Sequence, residues 1–158
     1  MKGNEKVIAT LNALLADELT AISQYMVHSE MCDNWGYDKL HEAKEKQAID
    51  EMHHAEWLIG RIIYFEGKPV VSKLNPIHIG PTVPEIIEND YQAEVSAVEA
   101  YNAAIGLAHG VADQGSVDLL IKILKDEERH ADWGEAQQDQ IEQMGLENYL
   151  TNQTSGTA

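Results

Sequence analysis

Apolar residues recur along this chain at three- and four-residue intervals, the spacing that lines one face of a helix. Val7, Leu11, Leu14, Leu15, Ile22 and Met26 predict a first helix at about residues 5–33, ending at Asp33-Asn34-Trp35-Gly36. Leu40, Ala43, Ala48, Ala55, Leu58 and Ile62 predict a second at about 38–66, stopped by Gly67 and Pro69. All four prolines, Pro69, Pro76, Pro81 and Pro84, cluster near the middle with Gly67 and Gly80, so an extended crossover should run to about residue 83. Thr82 and Glu85 have the spacing of a capping box for a third helix at about 83–109, carried by Ile87, Tyr91, Val98, Tyr101 and Ile105. Gly110 and Gly115 mark a turn. A fourth helix at about 116–144, with Leu120, Ile123 and Leu124 on its stripe, stops at Gly145. A short fifth helix at about 146–150 and a polar tail, 151–158, follow. Short helix connections on either side of one long one predict an all-α four-helix bundle made of two antiparallel hairpins joined by a crossover.

Composition narrows the setting. The chain has 158 residues, 44% of them apolar, which suits one compact domain with a single core over 1–158. One cysteine, Cys32, excludes an internal disulfide. The opening Met-Lys-Gly-Asn-Glu-Lys leads into an amphipathic pattern with no continuous apolar run, so a cytoplasmic protein without a membrane span is expected. Eleven basic against 27 acidic residues give a formal charge of −16, which disfavours nucleic acid and attracts cations.

One phrase occurs twice. Asp50-Glu51-Met52-His53-His54-Ala55-Glu56-Trp57 returns 76 residues later as Asp126-Glu127-Glu128-Arg129-His130-Ala131-Asp132-Trp133. The same shift carries Glu18 onto Glu94 and Tyr25 onto Tyr101, the mark of a duplicated hairpin. Glu18, Glu51, His54, Glu94, Glu127 and His130 all fall on the apolar stripes of their helices, so four carboxylates and two imidazoles should face the bundle interior. Unpaired, they would cost several kcal/mol per ion, against about 5–15 kcal/mol for a whole domain, so a counter-charge is required. Two divalent cations balance four carboxylates, and each Glu-x-x-His puts an oxygen and a nitrogen ligand one turn apart on one face. Carboxylates with some imidazole suit iron or manganese. One such pair alone would read as an exposed helix pair; two in register, each with a partner glutamate, do not.

Around these ligands, Tyr25 and Tyr101 follow Glu18 and Glu94 by two helical turns, which brings their hydroxyls within reach of ligating carboxylates. Asp50 and Asp126 are rotated about 100° from the glutamates that follow them and should point away from the metals. Met52 replaces the Glu128 of the second copy and, with Ile49 and Ile59 on neighbouring rows, gives the second helix an apolar outer face suited to a subunit contact. A thioether is also a soft axial ligand for haem iron.

With these residues in view, the chain resembles the bacterioferritins, the haem-containing branch of the ferritins, over nearly its whole length. Glu18, Tyr25, Glu51, Met52, His54, Glu94, Glu127 and His130 match that family's pattern. The six ligands are shared with many di-iron and di-manganese bundles, and Met52 narrows the match. The resemblance implies a ferritin-like fold in which Glu51 and Glu127 bridge two iron ions, Glu18 and His54 complete one, and Glu94 and His130 complete the other. It implies that Met52 from two subunits holds one haem b at a two-fold interface of a 24-subunit homo-oligomeric shell. The expected activity is ferroxidase: ferrous iron is oxidised by dioxygen or hydrogen peroxide and the ferric product stored. The haem would admit electrons from a small ferredoxin during release. One departure is visible, because some members have at Lys46 a histidine that works with Asp50 as an inner-surface iron site, and a protonated lysine is no cation ligand.

Two other readings share these residues. A di-iron or di-manganese peroxidase or catalase would form a small oligomer, although one cysteine cannot supply the extra iron site of a rubrerythrin. A haem-bearing electron-transfer subunit would use the di-metal site only structurally.

Overall fold

A computed structural model describes residues 1–155. Among them the chain forms α1 (Glu5–Asn34), α2 (Asp38–Tyr64), α3 (Val83–Gly110), α4 (Gln114–Met144) and α5 (Leu146–Gln153). The tail expected from Thr151 begins later, because α5 runs on to Gln153; residues 156–158 lie outside the described region.

Local chemistry sets the helix ends. Asn4 caps α1 by accepting hydrogen bonds from the backbone N–H of Lys6 and Val7 at 2.9 and 3.2 Å. α4 begins two residues before the position predicted from Gly115, because Asp113 is the cap: its carboxylate accepts from Ser116 N at 3.1 Å and from Arg61 Nη2 at 2.9 Å. Gly115 belongs inside the helix. A Cβ there would lie 2.5 Å from the Arg61 guanidinium, so its role is close approach, not a break. At Thr82 the expected capping box is not made. The hydroxyl donates to Glu85 Oε2 at 2.8 Å and caps no backbone N–H. Gly145, at φ +81°, turns the chain from α4 into α5 in the left-handed region that glycine enters freely.

α1 packs along α2 and α3 along α4, with further contacts between α1 and α3 and between α2 and α4, giving a four-helix bundle with α5 against α4 and α2. The crossover, residues 65–82, has no strand partner for its backbone, so polar side chains of α1 supply one. Asn12 Oδ1 accepts from Val70 N at 2.8 Å, Thr20 Oγ1 from Asn75 N at 2.8 Å, and Gln24 Oε1 from His78 N at 3.0 Å. Residues 12, 20, 24 and 28 form one row down α1, which lays the long connection along that helix.

Two apolar clusters fill the interior. Val7, Leu11, Leu15, Leu58, Ile62, Leu120 and Ile123 belong to the larger, and Cys32, Leu40, Val83, Ile86, Ile87 and Tyr149 to the smaller. Tyr149 is anchored by donating to Gln137 Oε1 at 2.6 Å.

Candidate metal centre

The six ligand candidates converge. Glu18 and Glu94, from α1 and α3, meet Glu51, His54, Glu127 and His130, from α2 and α4, and all six are buried. Their donor atoms form two overlapping groups, Glu18, Glu51, His54 and Glu127 in one and Glu51, Glu94, Glu127 and His130 in the other, each within 4.8 Å. Glu51 and Glu127 are common to both, so the geometry offers two adjacent cation positions with two shared carboxylates. A four-residue helical turn puts both members of each Glu-x-x-His on the same face.

The imidazoles are oriented from behind. His54 Nδ1 lies 3.0 Å from Glu51 Oε2 and 3.1 Å from Glu127 Oε1, and its Nε2 lies 2.8 Å from Asp126 Oδ2. His130 repeats the arrangement, with Nδ1 3.1 Å from Glu51 Oε1 and Nε2 2.9 Å from Asp50 Oδ2. An ionised carboxylate only accepts, so each Nε2 carries a hydrogen, and loss of the Nδ1 proton leaves that lone pair facing inward. Asp50 and Asp126 thus lie behind the imidazoles, outside the ligand set, but they are not free charges. Each holds the histidine of the opposite hairpin, a pairing that depends on how α2 and α4 pack. Tyr25 and Tyr101 cross over in the same way, donating to Glu94 Oε1 and Glu18 Oε1, both at 2.5 Å.

The electrostatics leave the cluster short of positive charge. Among the described residues, no lysine or arginine pairs with Glu18, Glu51, Glu94 or Glu127. Burial and the charges of Glu18, Glu127 and Glu94 hold Glu51 well above the usual carboxylate range. Burial, with Glu94 and Glu18 nearby, pushes Glu127 up to about 8. Burial opposes protonation of His54, yet its hydrogen bonds with Glu127 and Glu18 outweigh this and raise it to about 11. Against the same opposition, Glu94, Glu127 and Asp50 raise His130 to about 9. Glu18 Oε2 and Glu94 Oε2 are buried without a hydrogen-bond partner, one on either side of the shared carboxylates. Protons and histidines leave this donor set unsatisfied, and two divalent cations fit it in charge and ligand type.

A cavity of about 370 Å³ reaches the cluster from between α1 and α3, with Asp17, Asn75 and His78 among its lining and Glu18 and Glu127 also on its wall. On the outer face of α2, Met52 and Ile49 are exposed, as is Ile63 farther along the helix, whereas Ile59 is partly buried against the core. Trp57 and Trp133 carry no ligand. Their rings lie under Lys122 Nζ at 3.8 Å and Lys44 Nζ at 4.7 Å.

A second buried network was not anticipated. Lys44 Nζ is 3.0 Å from Asp90 Oδ2, and Asp90 Oδ1 also takes His28 Nδ1 and Gln24 Nε2, both at 2.8 Å. Burial alone would raise Asp90, but Lys44 and His28 hold its carboxyl below the ordinary aspartate value. The signal was present in the sequence, since Lys44 and Asp90 lie on the stripe positions one turn from Leu40 and Ile86.

No described helix is long and apolar enough to cross a membrane. Residues 8–144 match the model of the ferritin-like domain. A protein called bacterial ferritin, from Synechocystis sp., is 42% identical over 156 residues, 98% of this chain and all of that protein. A bacterioferritin from Brucella melitensis is 40% identical over 149 residues, covering 94% of this chain and 92% of its own. A bacterial ferritin from Pseudomonas aeruginosa is 42% identical over 154 residues, covering 97% and 99%. With a family model matched over most of its length and such relatives aligned nearly end to end, the chain belongs to the ferritin family, in its bacterioferritin branch.

Proposed function

We propose that this protein oxidises ferrous iron at the six-residue cluster and stores the ferric product inside a hollow shell of its own copies. The observation that carries this reading is the charge imbalance: four buried carboxylates, two of them with an oxygen left without a partner, and only protonatable histidines to answer them. Ferrous iron is the substrate. One ion takes Glu18, Glu51, His54 and Glu127, the other Glu51, Glu94, Glu127 and His130, so Glu51 and Glu127 are shared. Each ion passes one electron to dioxygen or hydrogen peroxide.

The chain's part is to bind, orient and exchange protons. Cations displace the protons that raised affinities keep on Glu51, Glu127, His54 and His130, so binding releases protons and weakens in acid. Asp126 and Asp50 hold the imidazoles with Nδ1 inward, and Tyr101 and Tyr25 fix Glu18 and Glu94. The cavity between α1 and α3 is the route for ferrous ions and oxidant.

Assembly follows from the outer face of α2 and from the bacterioferritin names of the relatives. Exposed Met52, beside Ile49, would hold a haem b between two subunits, and that haem would supply an entry point for electrons from a small ferredoxin when iron is released. A 24-subunit homo-oligomer in the cytoplasm is the corresponding assembly. Aerobic ferrous titration of the pure protein should give a saturable fast oxidation phase, and Glu18→Ala should abolish it. A missing fast phase, or one that survives the substitution, overturns the ferroxidase reading. Met52→Leu should remove haem absorbance and keep most of the oxidation; haem retained with an unchanged spectrum removes Met52 from the account.

A further inference from the structure

The two sides of the metal centre are unlike. Between α1 and α3 a cavity reaches the ligands. On the α2 and α4 side, the outer nitrogens of His54 and His130 lead to Asp126 and Asp50, and a guanidinium stands at both carboxylates. Arg129 Nη2 is 2.9 Å from Asp126 Oδ1 and 4.0 Å from Asp50 Oδ2. Asp126 is thus held on both oxygens, by His54 Nε2 on one and Arg129 on the other. The duplication supplies no second guard, because the residue 76 positions earlier is His53, which is exposed and paired with Glu56 at 3.2 Å.

We infer that Arg129 is a built-in counter-ion lying over the α2–α4 face of the centre, exposed on its outer side and occupying the place where the two aspartates behind the histidines would otherwise gather another divalent cation. The guanidinium presents a fixed fork to carboxylates and stays charged at any working pH. Its single positive charge faces two aspartates whose remaining partners are imidazole N–H groups. With Arg129 present, that pair makes a positioning device for His54 and His130. Without it, the same oxygens are ligands of the hard type that divalent cations take. Exchange of ions with the centre is then directed to the opposite cavity, and an ion passing between the histidines must first displace Arg129.

This inference rests on the di-metal reading of the cluster, and cobalt(II) titration of the full assembly, followed by its visible absorption and by calorimetry, tests the two separately. The wild-type protein should saturate at two ions per subunit. Arg129→Gln should take a third ion, Arg129→Lys should return to two because it restores the charge, and Arg129→Gln combined with Asp50→Asn should also return to two. A requirement for guanidinium packing alone predicts no extra ion in Arg129→Gln. If wild type binds two and Arg129→Gln also binds two with unchanged helical circular dichroism, the inference is overturned while the di-metal reading stands. If wild type itself fails to bind two, both fall.

Discussion

Two groups of buried charges lie within one bundle, and they are neutralised differently. Near the crossover, Asp90 meets the chain's own cation, Lys44, together with His28 and Gln24. At the centre, Glu18, Glu51, Glu94 and Glu127 have no such cation, and proton affinity is raised at Glu51, Glu127, His54 and His130. The duplication sharpens the contrast. A shift of 76 residues carries His28 onto Ala104, Lys44 onto Leu120, Gln47, which accepts from Lys44 Nζ at 3.3 Å, onto Ile123, and Leu14 onto Asp90. Those four apolar counterparts all sit in the larger core cluster. One end of the bundle thus builds from hydrocarbon what the other builds from a charged network, so the network is not a requirement of the helix packing. It stands where the crossover docks, and His28 Nε2 accepts from Gly80 N at 3.0 Å. The central residues repeat in both halves unchanged. A buried cluster that supplies its own counter-charge serves the fold, and one that leaves its charge unanswered is poised to bind cations.

The largest expected effect separates the two groups by function. Glu51→Ala and Glu127→Ala each remove a shared carboxylate, and fast ferrous oxidation should fall by more than about 100-fold, beyond the usual cost of losing an outer-sphere partner. The metal-free variants should melt no lower than wild type, since each removes a buried carboxyl that no basic side chain pairs with. Lys44→Met should leave the fast phase intact but cost about 3–5 kcal/mol in chemical denaturation, by stranding the Asp90 charge. Copying the other end of the bundle, with Lys44→Leu, Asp90→Leu and His28→Ala together, should recover most of that loss, because an apolar replacement of a buried pair is often neutral. If the triple variant stays as unstable as Lys44→Met, the network is doing more than neutralising itself.

A smaller effect concerns pH. Glu127, His54 and His130 all have folded pKa values raised above their ordinary ones, so their stabilising contribution is complete in acid and is lost as pH rises through those values. Between about pH 6.5 and 9 the metal-free protein should therefore lose thermal stability, and saturating divalent cation should cancel the slope. Asp90 and Asp126, with lowered values, act only below their ordinary range and leave that window clear. Smallest of all, Tyr25→Phe and Tyr101→Phe should weaken metal binding by about tenfold each, measured by cobalt(II) titration, since only the orientation of Glu94 and Glu18 is lost.

Much of this was legible in the sequence. Helical periodicity and clustered prolines give the hairpins and crossover, and the repeated Glu-x-x-His with its partner glutamates gives six side chains that the structure brings together. Less legible was whatever depends on contact between hairpins. Asp50 and Asp126 look outward along their own helices, yet each meets a histidine on the other hairpin. Lys44 was not singled out, because a charged residue on an apolar stripe gains meaning only when Asp90, 46 residues away, arrives beside it. Asp113 was hidden by Gly115, which resembles a break and is in fact room for Arg61.

The central claim is that the unanswered charge between the hairpins is a pair of cation sites. Crystals of the assembly soaked anaerobically in ferrous iron and measured at the iron absorption edge test it directly. The account predicts two anomalous peaks per subunit, both beside the Glu51 and Glu127 carboxylates, one next to His54 Nδ1 and the other next to His130 Nδ1. A single peak, or iron found only on exposed carboxylates, would contradict it.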